Sequence, residues 1–518
     1  VKATPRRFMA VAAVSALAAP LLLSASPAVA RAHNPGKEAA KLSRKLVREA
    51  SAKDAYKHLK AFQAIADSAD GNRAAGTPGH EASAAYVYNQ LKKAGYRVSY
   101  DTFDITYIET LAEKLSVVAP APRDVAIVAM SYTKSTPEGG TRAALVPVPV
   151  DATTGCEPAD YAAGTFTGKI ALIQRGGCDF ATKQREAGAA GAAGAVIYNN
   201  TAGSLNGTLG GPDAGVIPTG GITQAEGQAL LAETGSGPVT ISLELRQLQE
   251  ERTTRNVIAE TKGGDADRTV MLGSHLDSVT EGAGINDNGS GSAGLLEVAL
   301  KLAKTHDRPT NKVRFAWWSA EELGLLGAES YVSRLTAKQR ADIALYLNFD
   351  MIASPNAAQF VYDGDDSDAT GAGPGPEGSA QLEKGITDFL DRRGLPHEGT
   401  DFDGRSDYGP FVEAGIASGG TFTGAEGIKS EAQAKKYGGE AGVAFDKCYH
   451  SACDNLSNID MKAFGVNIGV IANAVGTYAH DLSSLSAPAR KQSAPARGKA
   501  ESAPAAHRTH SRGHAPTA

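Results

Sequence analysis

After Asn256 the chain alternates short apolar strands with amphipathic helices, and this alternation limits its fold more than any other feature. Thr269 to Ser274, Val313 to Trp318 and Leu345 to Phe349 read as strands. Ser290 to Lys304, Gly327 to Leu335 and Gln381 to Arg393 read as helices, the first with Leu295, Val298, Ala299 and Leu302 on one face. Strands alternating with helices predict an α/β fold, a mostly parallel sheet covered by helices on both faces. Chemistry in such sheets gathers beyond the carboxyl ends of the strands.

The acids and histidines fall at those ends. His275 and Asp277 follow the first strand, and Glu321-Glu322 follow the second. Asp350 closes the third. Asp287 sits in a Gly-rich loop, Gly284-Ile285-Asn286-Asp287-Asn288-Gly289, and His450 lies beside Cys448 in a late loop. Taken singly, each has an ordinary explanation: a surface histidine, a turn aspartate, a helix-capping glutamate. Gathered on one sheet edge, two histidines and several carboxylates suit divalent metal of the zinc type. Adjacent residues point differently, so one glutamate of the doublet can ligate while the other serves as base.

Upstream, residues 38–68 carry one helical pattern (Leu42, Leu46, Tyr56, Leu59, Phe62, Ile65), and a second helix ends at Gly95. Tyr96 to Ile108 alternates like a strand. From about 111 to 250 the texture shifts to short Val/Ile/Leu runs split by Gly and Pro. Gly168 to Cys178 is a strand entering a Gly turn, Phe180 to Ala193 a helix of small residues, and Val196 to Asn200 the next strand. This stretch resembles the protease-associated domain, a β-rich module inserted in secreted peptidases. No catalytic constellation lies inside it, and Asp179 and Lys183 are expected as surface charges.

Six segments carry a more specific resemblance: Ser274-His275-Leu276-Asp277-Ser278, Gly282 to Gly291, Phe315-Ala316-Trp317-Trp318 with Glu321-Glu322-Leu323-Gly324, Leu347 to Ile352, Gly404-Arg405-Ser406-Asp407, and Cys448-Tyr449-His450 with Cys453-Asp454. In order and spacing they resemble the secreted bacterial di-zinc aminopeptidases of the co-catalytic, leucyl-preferring type. The resemblance implies a zinc-peptidase/phosphorylase-like fold over 38–110 and 251–484, interrupted by a protease-associated domain at 111–250. It implies two zinc ions per chain and hydrolysis by a metal-bridging hydroxide. His275 and Asp350 would hold one zinc, Glu322 and His450 the other, and Asp287 would bridge them. Glu321 would be the general base, Tyr449 would donate to the oxyanion, and Asp277 would orient His275. Arg405 would pair with a substrate or product carboxylate, and Met351 and Phe422 would line an apolar pocket for the first side chain. The resemblance also implies a cis Asp287–Asn288 bond. Gly465 and Gly469 stand where close relatives carry calcium-binding acids, so no such calcium site is expected. The implied substrates are peptides with a free N-terminus, large apolar first residues such as Leu being preferred. Three alternatives compete: a partner-binding ectodomain of the same fold without activity, a carboxypeptidase of the same fold, and a cyclase that uses one zinc.

Residues 1–30 read as a secretory signal: basic Lys2, Arg6 and Arg7, an Ala/Leu-rich run from Phe8 to Leu23, and the small-x-small site Ala28-Val29-Ala30. In a secreted chain four cysteines suggest disulfides; three pairings are possible, and the spacing favours Cys156–Cys178 and Cys448–Cys453. Residues 485–518 are rich in Ala, Pro, Ser and Arg and are expected to be disordered. The net charge is −5, but setting aside the three front cations and the net +5 after residue 489 leaves −13 between them. Such an acidic body argues against nucleic acid as a partner. Nothing after the signal is apolar for long enough to anchor in a membrane. The expectation is a secreted, monomeric hydrolase.

Overall fold

The computed structural model describes residues 34–486 except 202, 204 and 372. The signal segment 1–30 and the tail beyond Ser486 lie outside the described residues. Leu485, at the start of that expected tail, packs half-buried on the main core.

The helical pattern at 38–68 resolves into two helices, α1 (Pro35–Glu49) and α2 (Ala52–Asp67). Ala50 and Ser51 are extended, and the Ser51 hydroxyl accepts from the Asp54 N–H, so a serine cap breaks the run. Helix α3 (Pro78–Ala94) starts on a Thr77 cap with proline at its first position and stops at Gly95, whose φ of 94° favours glycine.

The sheet is built on β3 (Asp265–His275), β4 (Asn311–Trp318), β5 (Ile343–Phe349) and β6 (Ser418–Phe422). They lie side by side in the order β6-β5-β3-β4, all parallel. Both faces are buried, as a parallel sheet requires. Leu272, Phe315, Trp317 and Leu347 face a core formed with α1, α2, α3, α4 (Gly291–Thr305) and α5 (Met461–Tyr478). Met271, Ala316, Trp318 and Tyr346 face the other side, against Val332, Tyr408 and Phe411. Trp317 and Trp318 are both fully buried, each worth on the order of 5 kcal/mol of transfer free energy. Register then sets the site: Trp318 pairs with His275 and Asn348 with Gly273, so the residues just past each strand emerge together.

Strand β1 (Arg97–Ala119) does not stop near Ile108. It pairs antiparallel with β2 (Thr240–Glu260) from Arg97↔Glu260 to Ala119↔Thr240, carrying the chain out of the peptidase part and back. Beyond this ribbon, Thr141–Pro147, Ile170–Gln174, Gly194–Tyr198 and Thr219–Ile222 form four parallel strands. They have cores of their own: Ile170, Leu172 and Val196 on one face, Ala171, Ile173 and Ile197 on the other.

Two disulfides are present, Cys156–Cys178 and Cys448–Cys453. Lys183, expected as a surface charge, is fully buried instead. Its helix, Phe180–Ala189, lays it under the 151–156 loop, where its ammonium donates to the Thr154 carbonyl and lies 3.7 Å from Cys156 Sγ. The carbonyl makes that burial tolerable. Asp179 caps the same helix, accepting from the Thr182 N–H. Among the described residues no helix is long and apolar enough to cross a membrane.

Candidate metal centre

Five side chains from distant parts of the chain converge beyond the sheet edge. His275 ends β3, and its Nε2 lies 3.3 Å from Asp287 Oδ1 and 3.4 Å from Asp350 Oδ1. His450 Nε2 lies 3.2 Å from Asp287 Oδ2 and 2.9 Å from Glu322 Oε2. Asp287 therefore turns one oxygen toward each histidine. Glu321 stands slightly apart, its Oε2 3.9 Å from His275 Nε2. All but His450 are largely buried.

Each is held by its local backbone. The His275 Nδ1–H donates to the Asp277 carbonyl at 3.2 Å, which turns Nε2 toward the centre. The Asp277 carboxylate, 3.7 Å from that ring nitrogen, accepts from the N–H groups of Glu321 and Glu322 and so sets the doublet. Asp287 lies in an irregular turn entered through Gly284 in the left-handed region, and its bond to Asn288 is cis. The N–H groups of Asn286 and Asp287 both donate to the Asp454 carboxylate, and Asn288 ties the turn to Phe349 and Met351. Asp350 Oδ2 accepts from the Ser406 hydroxyl at 2.6 Å, and Oδ1 is left for the centre. The Cys448–Cys453 bridge closes the turn that presents His450, whose ring stacks on Tyr449 at 3.8 Å. Ala320, Met351 and His450 all have positive φ. Such costly backbone gathers where function over-determines it.

The electrostatics leave a surplus of negative charge. Burial pushes the Glu321 carboxyl well above its ordinary range, and neighbouring Asp407, Asp350 and Glu322 add to this. Burial and Asp287 push Glu322 up to about 7. Burial alone would lower both histidines. The carboxylates overcome it, raising His275 well above its ordinary value and His450 to about 11. Protons on the histidines thus offset charge that a cation would otherwise balance.

Whether these residues fit a metal is answered by their bare atoms. His275 Nε2, Asp350 Oδ1 and Glu322 Oε1 are buried and accept or donate no hydrogen bond. Buried polar atoms are rarely left so. Imidazole with carboxylate is a zinc donor set. Donor atoms of His275, Glu321 and Asp350 lie within 4.8 Å of one another, as do those of His275, Asp287 and Glu322. The two groups share His275, and their donors fit divalent metal of the zinc type.

The other expected residues surround this centre. Met351, Phe422, Arg405 and Tyr449 line the pocket that opens onto it, together with Tyr362 and Tyr408. Arg405 is held in an ion pair with Glu426 at 2.8 Å and donates to the Tyr449 hydroxyl. Several supporting residues were given no role by the sequence. Asp454 and Ser406 fall inside the segments that carried the resemblance, as does Asp407. The Asp407 carboxyl is fully buried, has no hydrogen-bond partner, and is pushed well above its ordinary range by burial. Arg73 had no signal at all; it lies about two hundred residues upstream of the loop it touches.

This fold and donor set define a metallopeptidase of the α/β type. Residues 256–475 match Peptidase family M28, and residues 141–230 match the PA domain. The chain is 45% identical to the probable leucine aminopeptidase 2 of Trichophyton verrucosum over 83% of its length and 84% of that protein. It is also 45% identical to an aminopeptidase of Pseudomonas aeruginosa, over 81% of this chain and 80% of that one. The chain belongs to the M28 peptidase family. Among solved structures it resembles the aminopeptidase from Aneurinibacillus sp. strain AM-1, with TM-score 0.66 and 28% identity over 84% of this chain and 95% of that one. A zinc aminopeptidase from Bacillus subtilis matches with TM-score 0.60 and 27% identity, over 82% of this chain and 94% of that one.

Proposed function

We propose that the chain is a metallo-aminopeptidase that uses two zinc ions to remove N-terminal residues, large apolar ones such as Leu preferred, from peptides with a free amine. The observation that carries this is the set of buried donor atoms without partners on His275, Asp350 and Glu322, with Asp287 facing both histidines. His275 and Asp350 would hold one ion, Glu322 and His450 the other, and Asp287 both. When bound, the zinc pair supplies Lewis acidity toward the peptide carbonyl and lowers the pKa of water.

The chain's own residues do the rest. Glu321, buried and not needed as a ligand, takes the proton of the attacking water and passes it to the leaving amine. The Tyr449 hydroxyl, oriented by Arg405, donates to the oxygen that gains charge. The substrate's α-ammonium sits against Glu321 and Asp350, which restricts the site to chain ends. Met351 and Phe422 form an apolar wall for the first side chain. Arg405 pairs with a carboxylate of substrate or product. The inserted part, 111–250, which includes the far end of the β1–β2 ribbon, carries no donor set of this kind among the described residues and governs which substrates arrive. The signal-like segment 1–30 and the two disulfides support secretion, and the chain is proposed to act as a monomer.

The test is zinc content of the purified protein, measured with a panel of aminoacyl-nitroanilides and their N-acetylated counterparts. Two zincs per chain and cleavage of the free-amine set alone are expected. Equal cleavage of acetylated substrates would refute the exopeptidase reading.

A further inference from the structure

We propose that Arg73 is a positioning residue for the metal centre, its guanidinium pinning both ends of the loop that joins His275 to Asp287. This rests on the metal reading above and adds a residue to it. Among the described residues Arg73 is the one arginine that is buried, at 0% exposure. It leaves the turn between α2 and α3 and reaches under the metal loop. Nε donates to the Ala283 carbonyl at 2.8 Å, Nη2 to Gly284 at 2.5 Å, and Nη1 to Leu276. Leu276 directly follows His275, and Gly284 comes three residues before Asp287. One planar fork therefore holds the two points where the loop leaves one metal-facing residue and approaches the next.

A second tie runs beside it. The Arg73 N–H donates to the Ser278 hydroxyl, the Ser278 N–H donates back to the Arg73 carbonyl, and the Ser278 hydroxyl lies 3.0 Å from the Gly282 carbonyl. Phe62 covers the guanidinium at 5.1 Å. Among the described residues no carboxylate lies within ion-pair distance of Arg73. Its charge is met by three carbonyl dipoles, with Asp277, Asp454, Asp287 and Glu322 further off. A cation placed this way steadies an acid-rich site without occupying any carboxylate oxygen that a metal needs. Lysine cannot substitute, because a point ammonium cannot meet three carbonyls in one plane.

The experiment compares the full-length wild type with Arg73→Lys and Arg73→Met. Zinc affinity is read by competition with a chelator of known strength, folding by melting of the zinc-free protein, and kcat and KM on leucine-nitroanilide at saturating zinc. Both variants are expected to fold with a lowered zinc-free melting temperature, since buried carbonyls lose their donors, to bind zinc at least about tenfold more weakly, and to lose kcat about tenfold or more with KM little changed. Ser278→Ala, which keeps the fork, should show a smaller loss of the same kind. Wild-type zinc affinity and kcat in Arg73→Lys would overturn the proposal. So would failure of both Arg73 variants to fold, since Arg73 would then brace the core in general. A wild type that binds two zincs and cleaves substrate beside an unaffected Arg73→Lys sinks this inference alone; a wild type without zinc sinks the metal reading and this inference with it.

Discussion

Glu321 and Glu322 are neighbours in the chain, and changing each to glutamine should separate proton transfer from metal holding. Glu321→Gln preserves the shape of a side chain that is almost wholly buried and removes its capacity to take a proton. Glu321 Oε2 lies 3.9 Å from the nearest histidine nitrogen, beyond hydrogen-bond reach, so its loss frees no partner. Removing a general base costs about 100- to 10,000-fold in rate, roughly 2.7–5.4 kcal/mol of barrier. Zinc content should stay at two. Glu322→Gln acts differently: its Oε2 sits 2.9 Å from His450 Nε2 and its Oε1 is buried without a partner. An amide there removes a negative charge and can turn an N–H toward the ion. Lesions in residues that only support ligands weaken metal binding 10- to 100-fold, so a lost ligand should cost about 100-fold or more, at least roughly 2.7 kcal/mol. Both variants would be equilibrated in chelator-buffered zinc, with zinc per chain counted by mass spectrometry and kcat measured on leucine-nitroanilide. Equal loss of zinc in the two, or Glu321→Gln retaining more than about a tenth of wild-type kcat, would refute the division of roles.

Three other outcomes are expected. Burial holds the Lys183 ammonium down at about 8 against an ordinary 10.5; between those values the unfolded chain binds more protons, so stability rises with pH across that window. Melting from pH 7.5 to 10.5 should show this rise relative to Lys183→Met, and a flat difference would argue against the buried charge. Replacing Cys448 and Cys453 by serine opens a short loop worth about 2 kcal/mol in the loop-entropy model, and chelator competition should show weaker zinc binding because the His450 turn loosens; unchanged affinity would free the bridge of that role. Joining Thr110 to Gln247, partners in the ribbon, by a two-residue turn should keep cleavage of small aminoacyl-nitroanilides and alter rates on longer peptides. Loss of the small-substrate activity in a folded, zinc-loaded deletion would mean that 111–250 completes the site.

What the sequence determined by itself was local. Period and composition marked the strands at 269–274, 313–318 and 345–349, and with them the edge where His275, Glu321, Glu322 and Asp350 emerge, because neighbouring parallel strands bring their carboxyl ends to one side. Short spacings marked the two disulfides for the same reason: partners close in the chain are close in space. Other features depended on contacts that no local pattern records. Ser51 splits what reads as one helix, since a single hydroxyl accepting from the Asp54 N–H outweighs a continuing apolar stripe. Lys183 reads as a surface charge until the 151–156 loop folds over it and offers the Thr154 carbonyl. Arg73 falls in no motif of the sequence, and Asp454 falls in one without a role of its own. Only the packing of α2 and α3 under the loop beyond β3 brings the Arg73 guanidinium to three of its carbonyls, and only the disulfide-closed turn brings Asp454 to the N–H groups of Asn286 and Asp287. Of the donor residues, His275, Glu322 and Asp350 can be read from strand ends. Their aim is decided by hydrogen bonds between segments up to two hundred residues apart, because a buried donor or acceptor must find its partner wherever the tertiary fold puts one.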